Sequence, residues 1–107
     1  MTNSLPPELL KKLQSEYIAS FGQKIDELVE ARSKRDLDRL QQLLHKLAGS
    51  GKTYSFEKLS DLARAGELYL SENSKADETF DNYFSAVLDI LQNVKSETSQ
   101  KSAQTSR

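Results

Sequence analysis

The chain has 107 residues, with 15 lysines and arginines, 16 aspartates and glutamates, one histidine and no cysteine. Its length fits one domain, and its formal net charge of −1 gives no strong field to attract nucleic acid or an anionic membrane surface. The absence of cysteine excludes disulfides, thiolate metal ligands and a cysteine nucleophile, and a single histidine is a poor basis for a zinc site.

The first predicted element is an amphipathic helical segment near the amino terminus. Its apolar residues recur at three- and four-residue steps: Leu10, Leu13, Tyr17, Phe21, Ile25 and Leu28. Pro6 and Pro7 precede this stripe, where proline opens a helix without breaking it. Gly22 is the position at which we expect the segment to bend or to divide in two.

Two further helices are predicted in the middle of the chain. The polar run 33–36 interrupts the first stripe, and Asp36 is placed to cap a helix with an apolar face formed by Leu37, Leu40, Leu44 and Leu47. The pattern pauses at Tyr54, and Ser55 is placed to cap the next helix. The apolar face of that helix consists of Phe56, Leu59, Leu62, Ala63 and Leu70. Its glycine, Gly66, would let a neighbouring helix approach closely.

The last stripe follows the polar run 71–78 and consists of Phe80, Phe84, Val87, Leu91 and Val94. Four amphipathic helices with short connections predict an all-α fold, an antiparallel four-helix bundle with room for an additional N-terminal helical segment. From Lys95 onward no apolar side chain is larger than alanine. We therefore expect the bundle to span 1–95 and a disordered polar tail to span 96–107.

The helix that follows Asp36 carries the only histidine, His45. At about 100° per residue, the leucines of this helix centre roughly 135° away from His45, so the imidazole should face solvent. The residues that share or flank its face are Asp38, Gln41, Gln42, Ala48, Gly49 and Lys52. Ala48 and Gly49 lie one turn further along and have no side chain that could cover the ring.

Two lysines are candidates for stabilising an anion on the imidazole. Lys52 lies two turns beyond His45, roughly 10 Å along the axis, and helical side chains lean back toward the N-terminus. Lys46 lies about 100° around the helix and would contribute from the rim. The run GSGK at 49–52 is not a nucleotide-binding loop, because the first glycine of GxxxxGK[ST] is missing and no strand precedes it. The sequence also places no close carboxylate pair for acid–base catalysis.

The run from His45 to Gly51, HKLAGSG, resembles the core of the histidine-phosphotransfer (HPt) domain family, which reads approximately H-x-L-K-G-S-[SA]. The matching region continues into a leucine stripe with Leu59 and Leu62, and it also includes Ala63 and Glu67. Two positions depart from the family pattern. The lysine common three residues after the histidine is Ala48, and the glycine often found ten residues after it is Ser55. Lys52 is the candidate replacement for the missing cation.

The resemblance implies an intermediate of a two-component phosphorelay. His45 would accept a phosphoryl group from the aspartate of one response-regulator receiver domain and pass it to another, with a hybrid histidine kinase upstream. Lys52 and Lys46 would stabilise the phosphate, and the docking surface would be formed by Gln41, Gln42, Ala48 and Gly49. The chain would need no ATP site and no cofactor of its own, because the receiver supplies Mg²⁺.

A second function class remains open, a helical adaptor that binds a receiver or kinase domain without carrying phosphate. An adaptor should tolerate His45→Gln, whereas a phosphocarrier should not. For either function, the sequence shows no basic leader followed by an apolar run and no membrane-spanning stretch, so we expect a cytoplasmic protein.

Overall fold

The structure, a computed structural model, describes the backbone of residues 6–105 and the side chains of residues 6–97. Within that part of the chain there are five helices and no strand: α1 (Pro7–Ala19), α2 (Phe21–Ser33), α3 (Leu37–Thr53), α4 (Glu57–Asn73) and α5 (Glu78–Thr105). Each helix from α2 to α5 packs against the next, and α5 closes against α2, while α1 packs on α2 and α5. The predicted all-α bundle with an additional N-terminal helix is confirmed.

The N-terminal helical segment divides at Ser20 rather than at Gly22. Ser20 lies at φ −89° and ψ −2°, outside both helices. Its hydroxyl donates to the carbonyl of Tyr17 at 2.6 Å, a local bond that competes with the helical backbone pattern. The predicted division is therefore confirmed, but it lies at Ser20, and Gly22 lies within the first turn of α2.

The turn between α3 and α4 contradicts one predicted cap. Ser55 does not cap α4, because its backbone is left-handed, with φ 68°, and Phe56 occupies the N-cap position. The amide of Phe56 donates to the carbonyl of Gly51 at 2.7 Å, and the amide of Ser55 donates to Lys52. These two bonds form a Schellman motif, which ends α3 and needs a left-handed residue at Ser55. The predicted cap of α3 is confirmed, since Asp36 Oδ1 accepts the Arg39 amide at 3.1 Å.

The apolar faces of the helices meet in one core. Its largest fully buried side chains are Phe21, Leu28, Leu40, Leu44, Leu59, Phe80, Val87 and Leu91. Gly66 lies in this core, where an added Cβ would be 3.3 Å from Leu44 Cδ1 and 3.6 Å from a ring carbon of Phe80. The predicted close packing at Gly66 is confirmed, and it holds α4 against both α3 and α5.

Polar contacts hold the end of the bundle where α5 begins. Arg32 on α2 binds both carboxylate oxygens of Asp81, at 2.8 and 3.0 Å. Asp77 caps α5 by accepting the Phe80 amide at 3.1 Å. The same carboxylate accepts a hydrogen bond from the Tyr69 phenol, which lowers the pKa of Asp77 together with the amide bond. These contacts fix the connection between α4 and α5.

Helix α5 continues to Thr105, beyond the predicted start of the polar tail at 96. The division of the chain into a bundle over 1–95 and a tail over 96–107 stays a prediction, and residues 1–5 and 106–107 lie outside the described residues. None of the described helices has the length and apolar character needed to cross a membrane.

Candidate functional site

His45 lies in the middle of α3, and its side chain is 76% exposed. The neighbouring positions Leu44 and Leu47 are buried in the core, which turns the intervening histidine outward as the helical period requires. The predicted exposure of His45 is confirmed. One side of the ring nevertheless contacts α4.

Glu67 on α4 holds one nitrogen of this ring. Its Oε2 lies 2.9 Å from His45 Nδ1, and the Glu67 side chain is only 23% exposed. An ionised carboxylate only accepts hydrogen bonds, so Nδ1 carries the proton in this pair. In the neutral imidazole the other nitrogen, Nε2, then keeps a free lone pair. The arrangement gives an exposed Nε2 with a free lone pair, on a ring whose tautomer and orientation are set by the contact with Glu67.

The predicted site residues are only partly brought together. A shallow depression at the ring is lined by Asp38, Gln41, Gln42, His45, Lys46 and Glu67. The two glutamines and Lys46 therefore stand beside the histidine. Lys52 lines a separate depression nearer the C-terminus of α3, with Glu57, Ser60, Asp61 and Arg64. Of the two candidate cations, Lys46 is the one at the His45 depression.

Ala48 and Gly49 have opposite surroundings, although both were predicted to form the docking surface. Ala48 is only 3% exposed, and its carbonyl accepts a hydrogen bond from Ser60 Oγ on α4 at 2.6 Å. It lies beneath α4, so the prediction of Ala48 as a docking residue is wrong. Gly49 is exposed, and an added Cβ there would meet nothing within 4 Å. Its exposure leaves it available for docking, and its role in docking stays a prediction.

The family comparison covers both the site and the bundle. The family model for the Hpt domain matches residues 12–97, which include all of α2, α3 and α4. The chain belongs to the Hpt domain family. Membership indicates a histidine-phosphotransfer role in a phosphorelay, in which such domains act as phosphocarriers. No curated protein and no solved structure matches the chain.

The role of Glu67 in this Hpt domain was not predicted, although the sequence contains a signal for it. In an antiparallel helix pair, residues equally distant from the turn lie side by side. Ser60 contacts Ala48, and Glu67 contacts His45. Each of these pairs is nearly equidistant from the turn at 54–56. Counting from Ser55 places position 65 level with His45, so the count predicts only that the segment of α4 that includes Glu67 faces the histidine.

Ser50 in the HPt-like motif has a structural contact. Its hydroxyl lies 2.6 Å from the phenol oxygen of Tyr17 on α1. Burial raises the pKa of Tyr17, while the bond to Ser50 lowers it in part. Next to this pair, Gln14 Nε2 donates to the carbonyl of Tyr54 at 2.7 Å, and Tyr54 stacks on the Tyr17 ring at 4.6 Å between centroids. In this Hpt domain α1 therefore secures the C-terminal end of α3, beyond the histidine.

Proposed function

We propose that this Hpt domain is a phosphorelay intermediate in which His45 carries the phosphoryl group on Nε2. The pairing of His45 Nδ1 with Glu67 at 2.9 Å supports this proposal most directly. It leaves Nε2 as the free nitrogen of a side chain that is 76% exposed. A nucleophile that must meet a group carried by another protein needs this combination of fixed tautomer and open approach.

The transfer exchanges one phosphorus bond for another. The Nε2 lone pair of His45 forms a P–N bond while the P–O bond to the receiver aspartate breaks, and the aspartate leaves as a carboxylate. The ring becomes cationic as its lone pair is shared, and Nδ1 keeps its proton against Glu67, which stabilises that charge. Onward transfer reverses these steps, with a carboxylate of the next receiver attacking phosphorus and the electron pair returning to Nε2. Mg²⁺ in the receiver would offset charge on the phosphoryl oxygens.

Cationic side chains near His45 would further stabilise the phosphoryl group. Lys46 lines the same depression as His45, and its flexible ammonium suits a group that carries several negative oxygens. Lys52 lies in the next depression along α3, so we assign it the smaller contribution. Gln41 and Gln42 form the polar rim that docks the receiver. Gly49, exposed beside the histidine, leaves space for it.

The partners in this proposal are receiver domains of response regulators and a hybrid histidine kinase, all in the cytoplasm. The chain itself supplies a nucleophile and a docking surface, and it takes its phosphoryl group from a receiver rather than from ATP. It therefore acts as a carrier between two receivers.

The proposal is tested by incubating the purified chain with a panel of phosphorylated receiver domains and measuring intact mass. We expect an acid-labile gain of one phosphoryl group in the wild-type chain and none in the His45→Gln variant. Circular dichroism would confirm that both proteins are folded. A folded wild-type chain that gains no phosphoryl group from any receiver contradicts the proposal. Receiver binding that His45→Gln leaves unchanged, without transfer, would instead identify the adaptor.

A further inference from the structure

A second concave surface lies between α2 and α3, on the other flank of the helix that carries His45. We call it the α2–α3 groove. Its floor is apolar and consists of Leu28, Leu43 and Leu47. Leu28 and Leu47 are 1% and 3% exposed, so they belong to the core, while Leu43 is partly exposed. The groove has a volume of about 230 Å³, below the roughly 300–1,000 Å³ of small-molecule sites. It has the size to receive a protein side chain.

The rim of the α2–α3 groove carries more positive than negative charge. It is formed by Lys24, Glu27, Arg39 and Lys46. Glu27 offsets part of this charge, with its Oε2 3.8 Å from an Arg39 guanidinium nitrogen. Lys24 donates to Ser20 Oγ at 3.0 Å and lies 5.3 Å from the centroid of the Tyr17 ring. Neither of these partners carries a negative charge. Three cations against one carboxylate stand out in a chain with a net charge of −1, and they favour an acidic partner.

The groove is continuous with the site at His45, because Lys46 lines both surfaces. A stable protein interface covers about 800 Å² on each partner, which is a disc of about 16 Å radius. Packed helices lie about 8–10 Å apart, so a domain seated over His45 also reaches the groove. The flank on the other side is less suited to docking. Its depression, which contains Lys52, has two cations and two carboxylates and no apolar residue.

We propose that the α2–α3 groove receives an apolar side chain of the receiver domain that is flanked by carboxylates, and that this contact selects among receivers. The inference rests on the proposed function, since the occupant is the domain that exchanges phosphoryl groups with His45. The leucine floor supplies the desolvated centre that protein interfaces need. Lys24 and Arg39 on the rim attract the carboxylates and disfavour receivers with basic residues at those positions.

The experiment uses the receiver that phosphorylates the wild-type chain fastest in the panel. Transfer rates are measured against receiver concentration for the wild type, the double variant Lys24→Glu/Arg39→Glu, and the control Lys95→Glu. Lys95 lines the depression on the opposite flank of α2, between α2 and α5. Each protein is also labelled with the small donor phosphoramidate, which reacts with His45 without docking.

We expect the double variant to need about tenfold more receiver for half-maximal transfer, because reversed rim charges repel an acidic partner. The difference should shrink as ionic strength rises, because salt screens these charges. Phosphoramidate labelling should be equal in all three proteins, and Lys95→Glu should transfer like the wild type. If circular dichroism shows that the double variant is unfolded, Lys24→Gln/Arg39→Gln replaces it, since that variant places no carboxylate against Glu27. Its concentration requirement should rise by about threefold.

Three negative results are distinguishable. A wild-type chain that no receiver phosphorylates removes the proposed function, and the inference with it. Normal transfer by the wild type, with the same concentration dependence in the groove variants, overturns the groove contact alone. Equal losses in the groove variants and in Lys95→Glu would also overturn it, because they would show a general effect of charge rather than a local contact.

Discussion

Replacing Glu67 by glutamine tests how the carboxylate assists His45. Glutamine keeps an oxygen that accepts a hydrogen bond from Nδ1, but it removes the negative charge. Shape and side-chain length are nearly unchanged, so the α3–α4 packing should be retained. The substitution therefore isolates the electrostatic contribution of Glu67 from its role in positioning the ring.

The expected loss follows from the geometry of the pair. The oxygen lies 2.9 Å from Nδ1, with the glutamate 23% exposed and the histidine 76% exposed. Hydrogen bonds to charged groups contribute about 1.5–3 kcal/mol, and exposure of one partner moves the value toward the lower end. About 1.4 kcal/mol of lost stabilisation of the cationic ring corresponds to a tenfold slower transfer. We expect Glu67→Ala to slow transfer further, because alanine also removes the acceptor that keeps the proton on Nδ1.

The assay is rapid-quench phosphoryl transfer from a phosphorylated receiver, combined with ¹⁵N NMR of the His45 ring. Glu67→Gln should transfer about tenfold more slowly while Nδ1 still carries the proton. Glu72→Gln is the matched control, an exposed glutamate on the same helix. A transfer rate equal to that of the wild type would refute the assignment of charge stabilisation to Glu67. A wild-type ring with its proton on Nε2 would refute the tautomer from which the mechanism starts.

Three further predictions concern the surface beside His45 and the turn behind it. Gly49→Gln should slow receiver transfer by about tenfold or more without a change in circular dichroism, because its side chain enters open space that the receiver must occupy. Lys46→Ala should shorten the phosphohistidine lifetime or slow transfer more than Lys52→Ala does; the reverse order would restore Lys52 as the main cation. Ser55→Gly should raise the free energy of unfolding by about 0.5–1 kcal/mol, because it relieves a left-handed serine. Ser85→Gly, inside α5, should lower it by roughly 0.5 kcal/mol in the same denaturation assay.

The features that the sequence predicted correctly are local ones. Leucines at three- and four-residue steps determine which face of α3 is buried, and the exposure of His45 follows from its place between Leu44 and Leu47. Asp36 caps the next residues along the chain, so its role depends on sequence neighbours alone. Such features need no knowledge of which helix packs where.

The features that the sequence missed depend on the position of α4. Periodicity placed Ala48 about 60° from His45 but did not show that α4 covers that flank. Because the position of α4 was not predicted, neither was the contact between Glu67 and His45. For the same reason, Lys52 was preferred to Lys46 as the candidate cation. The predicted cap at Ser55 is wrong for another reason. Serine is a good N-cap residue, and only the observed backbone shows the left-handed turn at that position.

The small residues around His45 connect the packing of α3 and α4 with the chemistry of the ring. At Gly51 an added Cβ would lie 3.3 Å from the Ser60 amide nitrogen, so the α4 backbone passes directly over this glycine. Ala48, one turn earlier, lets Ser60 Oγ reach its carbonyl at 2.6 Å. Two turns beyond Ser60 on α4, the same close approach brings Glu67 to hydrogen-bond distance of Nδ1. A lysine at 48 would place its side chain under α4, where Ala48 is only 3% exposed, so this packing favours a small residue at that position.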